Sequence, residues 1–175
     1  YESKDYNDHG LGVGWSTDYS VDLFVDTLYA KVTMPKGEEM YFNLHYDGTY
    51  QALPGSAYEF ETNGDGYLLK HRDGTKYYFN ADEKLTRISY LDGNFYNIAY
   101  NGDLIASVTS PTGTLTFADD GSHITSVSDG NGRTVTLTYN GDYLASVTNS
   151  DGDSLLYDYD GNGYLSQITN FNGEV

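Results

Sequence analysis

The 175-residue chain has no cysteine. That excludes a disulfide framework, a thiol nucleophile and a thiolate metal site. Basic residues are scarce too: nine Lys plus Arg stand against 26 Asp plus Glu, a formal charge of -17. Such a surface repels nucleic-acid phosphates and the anionic face of a membrane, so neither is expected as a partner. Apolar stretches run only a few residues, and the opening Tyr1-Glu2-Ser3-Lys4-Asp5 is polar, so the sequence holds no signal peptide and no segment for direct membrane insertion. It starts without methionine and ends on Asn172-Gly173-Glu174-Val175, which looks like the opening of another repeat. The expectation is a segment of a longer polypeptide.

What the chain does have is a repeat. Glycines 74, 93, 113, 132, 152 and 173 are spaced 19, 20, 19, 20 and 21 residues apart, a period that marks modular architecture. Each closes a turn pair, Asp73-Gly74, Asp92-Gly93, Thr112-Gly113, Asn131-Gly132, Asp151-Gly152 or Asn172-Gly173. After the first five an aromatic follows, at Phe79, Tyr100, Phe117, Tyr139 and Tyr159. An apolar pair three residues apart then ends the unit: Leu85/Ile88, Ile105/Val108, Ile124/Val127, Leu144/Val147 and Leu165/Ile168.

Within the phrase, Thr134-Val135-Thr136-Leu137-Thr138-Tyr139 alternates strictly, so Val135, Leu137 and Tyr139 share one face of a strand. Asn-Gly-Asp at 101–103 and 140–142 signals a hairpin. Each phrase reads as two short strands and two turns. One hairpin is marginal in water, so its apolar face must stack on its neighbour. The fold class expected is all-β: tandem hairpin repeats of about 20 residues in a curved antiparallel strip. Residues 73–175 carry the regular array, and residues 1–72 read as an amino-terminal capping region with degenerate repeats. The only tryptophan follows three glycines in Gly10-Leu11-Gly12-Val13-Gly14-Trp15, which suits close backbone approach and a ring covering the open end of a β core. The structural positions expected are therefore Trp15, the turn glycines Gly74, Gly93, Gly113, Gly132 and Gly152, and the five phrase aromatics.

On these residues the chain resembles the YD-repeat, or Rhs-repeat, proteins, whose phrase is a turn glycine, an aromatic, a leucine with an isoleucine or valine, and an Asp/Asn-Gly turn. Residues 131–148, NGRTVTLTYNGDYLASVT, and 151–169, DGDSLLYDYDGNGYLSQIT, follow it closely, and 73–90, DGTKYYFNADEKLTRISY, is similar. The opening Tyr6 to Ser16 is similar to the glycine-tryptophan-serine element near the start of the family's repeat-bearing core. The resemblance implies a β-sheet strip spiralling into a shell that encloses a carboxy-terminal toxin or serves as a secreted or cell-surface scaffold. Its partners would be the remaining repeats and the carboxy-terminal domain of the same polypeptide.

No catalytic constellation is present. His9, His45, His71 and His123 fall in different phrases, none in a ligand spacing such as His-Glu-x-x-His, and no glycine-rich loop carries the Lys-Ser/Thr ending of a phosphate site. No enzyme activity and no cofactor are expected. Asp158, Asp160 and Asn162 imitate the start of a calcium loop, but the twelfth position is Thr169 where a bidentate glutamate is needed. Plain turn chemistry is the competing reading of those oxygens. The functional alternative to a shell is a module that binds cell-wall glycan on tyrosine platforms. Nineteen tyrosines supply rings for it, yet wall-binding repeats draw on tryptophan in nearly every phrase, and here there is one.

Overall fold

The computed structural model describes Tyr1 and residues 8–170. Tyr6, Asn7 and the sixth turn pair, Asn172-Gly173, lie outside the described residues. The described residues form sixteen strands in two antiparallel sheets and no helix. The first sheet is β1 (Asp22–Val25), β2 (Tyr29–Thr33), β3 (Glu39–Leu44) and β4 (Tyr50–Ala52), paired in chain order. The second begins with β5 (Tyr58–Asn63), β6 (Gly66–His71), β7 (Lys76–Phe79), β8 (Leu85–Ser89), β9 (Phe95–Asn101) and β10 (Leu104–Ser110). It continues with β11 (Gly113–Asp119), β12 (Ile124–Ser128), β13 (Thr134–Asn140), β14 (Tyr143–Thr148), β15 (Ser154–Tyr159) and β16 (Leu165–Thr169). These twelve also pair in chain order, so each twenty-residue phrase contributes one hairpin.

Two apolar residues three apart on a regular strand point to opposite faces, because side chains alternate. The repeat resolves this with a β-bulge in four of its hairpins. In the β7–β8 pair, Tyr78 lies opposite Arg87 while Phe79 lies opposite Leu85, so Thr86 is the extra residue. Thr125 is extra between β11 and β12, Ala145 between β13 and β14, and Ser166 between β15 and β16. The inserted residue brings Leu85 and Ile88, or Ile124 and Val127, onto one side. At three of the four bulges a hydroxyl bridges the gap: Thr86 Oγ1 donates to the Tyr78 carbonyl at 3.1 Å, Thr125 Oγ1 to Ala118 at 3.3 Å and Ser166 Oγ to Asp158 at 3.1 Å. Ala145 has no such group.

The chain divides into two compact units. One comprises residues 17–98 and 109–112. Its core contains a column of rings: Phe42 stacks on Phe60 with centroids 5.2 Å apart, Phe60 on Tyr67 at 5.6 Å, and Tyr50 meets Phe60 edge-on at 4.9 Å. Val32, Phe42, Leu69, Leu85 and Ile88 are buried with them. The other comprises residues 1–16, 99–108 and 113–175, with Ile105, Val108, Phe117, Ile124, Leu137 and Leu144 buried. Burial within it fades along the repeats: Ile124 is 1% exposed and Leu144 3%, whereas Ile168, at the second position of the last pair, is 44% exposed.

Two predictions follow from this packing. Ile124→Ala should cost about 2–5 kcal/mol in urea unfolding, through lost transfer energy and a cavity, and Ile168→Ala less than about 1 kcal/mol; equal losses would contradict the assigned core. Burial also pushes the Tyr77 hydroxyl up to about 12 from its ordinary 10.0. A phenol whose folded pKa is raised stabilises the fold fully below its unfolded value and loses that contribution as pH rises through the folded one. The unfolding midpoint should therefore hold up to pH 10 and fall toward pH 12, and Tyr77→Phe should flatten the fall.

Candidate functional site

The acidic residues are set by turn chemistry. Within the turns a carboxylate or carboxamide oxygen accepts the backbone N–H two residues on, and at Asn149 and Asp160 also the one four residues on, an Asx-turn that removes the need for solvent to satisfy them. Asp73 accepts from Thr75 at 2.8 Å and Asp92 from Asn94 at 2.9 Å. Asn149 accepts from Asp151 and Asp153, both at 2.9 Å. Because these bonds favour the ionised form, the Thr75 amide first, then the His71 side chain, hold Asp73 down at about 2.

The calcium candidates fall within the same scheme. Asp160 Oδ1 accepts the amides of Asn162 at 2.8 Å and Tyr164 at 3.0 Å, and these bonds, that from Tyr164 foremost, hold its carboxyl below the usual range. Asp158 lies on β15, between Tyr157 and Tyr159. Asp158 and Asp160 line a recess of about 580 Å³ with Asn140, Tyr143, Leu156 and Gly161. Among the described residues no group of three or more His, Cys, Asp and Glu side chains is placed to hold a metal ion.

The main feature of this unit is a strap formed by residues 8–16, with Tyr1, laid across its hairpins. Each anchor uses the residue that begins the second strand of a phrase, or the turn before it. The Ile124 N–H donates to the Gly10 carbonyl at 2.7 Å, the Val13 N–H to the Asp142 carbonyl at 3.0 Å, and the Leu165 N–H to the Tyr1 hydroxyl at 3.0 Å. Phrase tyrosines brace the contact: the Tyr139 hydroxyl donates to the Ile124 carbonyl at 2.7 Å, and the Tyr159 hydroxyl to the Leu144 carbonyl at 2.9 Å while accepting the Trp15 indole N–H at 2.8 Å. Trp15 also meets the Tyr157 ring edge-on at 4.7 Å, with Tyr1 at 5.3 Å. Burial raises the hydroxyl pKa of Tyr139, Tyr157 and Tyr159. At the other end Asp8 organises the strap, its Oδ1 accepting the Gly10 and Gly12 amides at 2.7 and 3.1 Å and its Oδ2 lying 3.4 Å from His123 Nε2. His123 stacks on Tyr139 at 4.4 Å.

Of the sequence-expected positions, the structure brings Trp15 together with Tyr159, 144 residues away. Tyr139 joins the strap at Gly10, while Phe79 and Phe117 are buried and Tyr100 is half-buried in β9. Gly74, Gly93, Gly132 and Gly152 have positive φ in turns, and Gly113 is the first residue of β11. Sequence reasoning placed Trp15 over the open end of a β core and read the glycines before it as suiting close backbone approach; it did not find Asp8 or Tyr1. The spacing Asp8-x-Gly-x-Gly was the available signal. Gly12 has φ +83°, and a Cβ there would sit 2.9 Å from both the Asp142 carbonyl oxygen and the Leu144 nitrogen. Gly12→Ala should therefore cost about 1–3 kcal/mol and shift Trp15 fluorescence toward that of a water-exposed indole. Gly48, with φ +84° and open space around it, is the control: Gly48→Ala should strain the backbone and leave the emission unchanged.

No family model matches the chain. It is 32% identical over 80 residues to the tRNA nuclease WapA of Bacillus subtilis (strain 168), and 33% identical over 80 residues to the tRNA(Glu)-specific nuclease WapA of Bacillus subtilis subsp. natto (strain BEST195). Each match covers 46% of this chain and 3% of the relative, so the chain spans only a small fraction of their length. Among solved structures, a chain of a TcdB2-TccC3-TEV crystal structure aligns over 82% of this chain and 10% of its own length, at 13% identity and a TM-score of 0.45. The chain is a β-hairpin repeat protein related at low identity to the WapA proteins.

Proposed function

We propose that this chain is a non-catalytic structural segment of a YD-repeat β-shell, the wall of a secreted or cell-surface polypeptide that encloses a carboxy-terminal toxin or serves as a scaffold. The observation that carries this reading is the use made of the strap-side aromatics. Trp15, Tyr139 and Tyr159 spend their polar atoms on backbone carbonyls or on each other, and their rings pack on neighbouring rings. That is the work of a wall. The relation to the WapA proteins supports the reading, as does an acidic surface whose carboxylates terminate turns. In this account residues 1–72 contribute the strap and the degenerate repeats, residues 73–175 the regular array, and the partners are further repeats and a carboxy-terminal domain of the same polypeptide.

The competing reading, a cell-wall glycan module, needs rings presented flat to solvent. Co-sedimentation with purified cell-wall sacculi separates the two. The shell reading predicts that the chain stays in the supernatant and resists limited proteolysis as an intact body. Sedimentation that Tyr143→Ala abolishes would move the assignment to glycan binding at the recess beside β15.

A further inference from the structure

Eight described turns share a four-residue frame, and one of them is open. In seven, the N–H of the fourth residue closes on the carbonyl of the first: Gly37 on Met34 at 2.8 Å, Gly48 on His45 at 3.0 Å, Gly74 on His71 at 3.0 Å, Glu83 on Asn80 at 3.1 Å, Gly93 on Tyr90 at 3.1 Å, Gly152 on Asn149 at 3.1 Å and Gly163 on Asp160 at 3.0 Å. The eighth, Asp129-Gly130-Asn131-Gly132, lacks this bond, and among the described residues the Gly132 N–H has no acceptor within bonding distance. The difference lies at the second position. Gly130 adopts φ +73°, a left-handed conformation that side chains disfavour, where the sister turns carry Pro35, Tyr46, Arg72, Ala81, Leu91 and Ser150 or, in Gly161, a glycine without positive φ. Asn131 and Gly132 are both exposed.

We propose that Asn131 is a site of spontaneous covalent modification, the fastest-deamidating of the five described Asn-Gly pairs. The Gly132 nitrogen gives its proton to hydroxide and attacks Asn131 Cγ. A bond forms between that nitrogen and Cγ, the Cγ–Nδ2 bond breaks, and ammonia leaves with a proton from water. Water then opens the succinimide at either carbonyl, giving aspartate or β-linked isoaspartate. Glycine after the asparagine leaves the attack unhindered in every pair, so the fold sets the order.

Four pairs are protected. Asn63 and Asn140 end strands and are held in register against Gly66 and Tyr143. Asn101 ends β9 with its leaving amide donating to Asp119 Oδ2 at 3.2 Å. In the fourth, the Gly163 amide is bonded to Asp160, and the Tyr143 hydroxyl packs against the glycine. Only Asn131 combines an exposed carboxamide, a backbone free of the ladder and an unbonded attacking amide. Modification there places a second carboxylate beside Asp129, whose Oδ1 accepts the amides of Asn131 at 2.8 Å and Arg133 at 3.2 Å. The β-linkage adds a methylene to the backbone inside that turn, so the product loosens the connection between β12 and β13.

The test is peptide mapping by mass spectrometry after incubating the full chain at mildly alkaline pH, native and in denaturant, ranking Asn63, Asn101, Asn131, Asn140 and Asn162. The expected result is severalfold faster acid formation at Asn131 than at the other four in the native chain, with the five rates converging on unfolding. Gly130→Ser, which copies the closed turn at Ser150, should slow Asn131 while leaving the others unchanged. Another of the five reacting first, a native order that survives unfolding, or an unchanged Asn131 rate in the serine variant would each overturn the proposal.

Discussion

The structure depends on one irregularity repeated in register, the β-bulge of the hairpins β7–β8, β11–β12, β13–β14 and β15–β16. A strand can present apolar groups to one face only at even spacing, yet the phrase spaces its aliphatic pair by three. The inserted Thr86, Thr125, Ala145 or Ser166 absorbs the mismatch. It also ends the regular pairing of the hairpin beside its turn, where the strap finds the Ile124 and Leu165 amides. A device that first serves packing thereby creates an evenly spaced row of anchor points.

The strap uses that row. Gly10, Val13 and Tyr1 reach three successive phrases. The geometry requires glycine where the two backbones touch, a carboxylate at Asp8 to gather the strap amides, and tyrosine hydroxyls that bond main-chain carbonyls. The strap contacts join residues more than a hundred positions apart, so the carboxy-terminal hairpins must form before the first residues can settle. Such closure costs loop entropy only logarithmically in length.

Much of this was legible in the sequence. The turn glycines, the alternation of Val135, Leu137 and Tyr139, and the Asn-Gly hairpin signals specify strands, pairing order and repeat length through local chemistry. The spacing of Leu85 and Ile88 even carried the bulge, since it fits neither face of a flat strand. The partner of Trp15 was not legible. Its ring meets Tyr157 and Tyr159, and sequence distance holds no trace of that contact. The sequence left the oxygens at 158–162 open between a calcium loop and plain turn chemistry; their division of labour, Asp160 bound to two amides and Asp158 on a strand, follows from backbone geometry that composition does not encode.

Native-state hydrogen exchange tests the central claim most directly, that the strap and the hairpins it crosses open as one structural unit. The account predicts that the bonded strap amides of Gly10, Gly12 and Val13 exchange through the same opening as Leu137 and Leu144 in the array, with matching free energies and denaturant dependence. Strap amides exchanging near the rate of an unfolded chain while the array remained protected would contradict it.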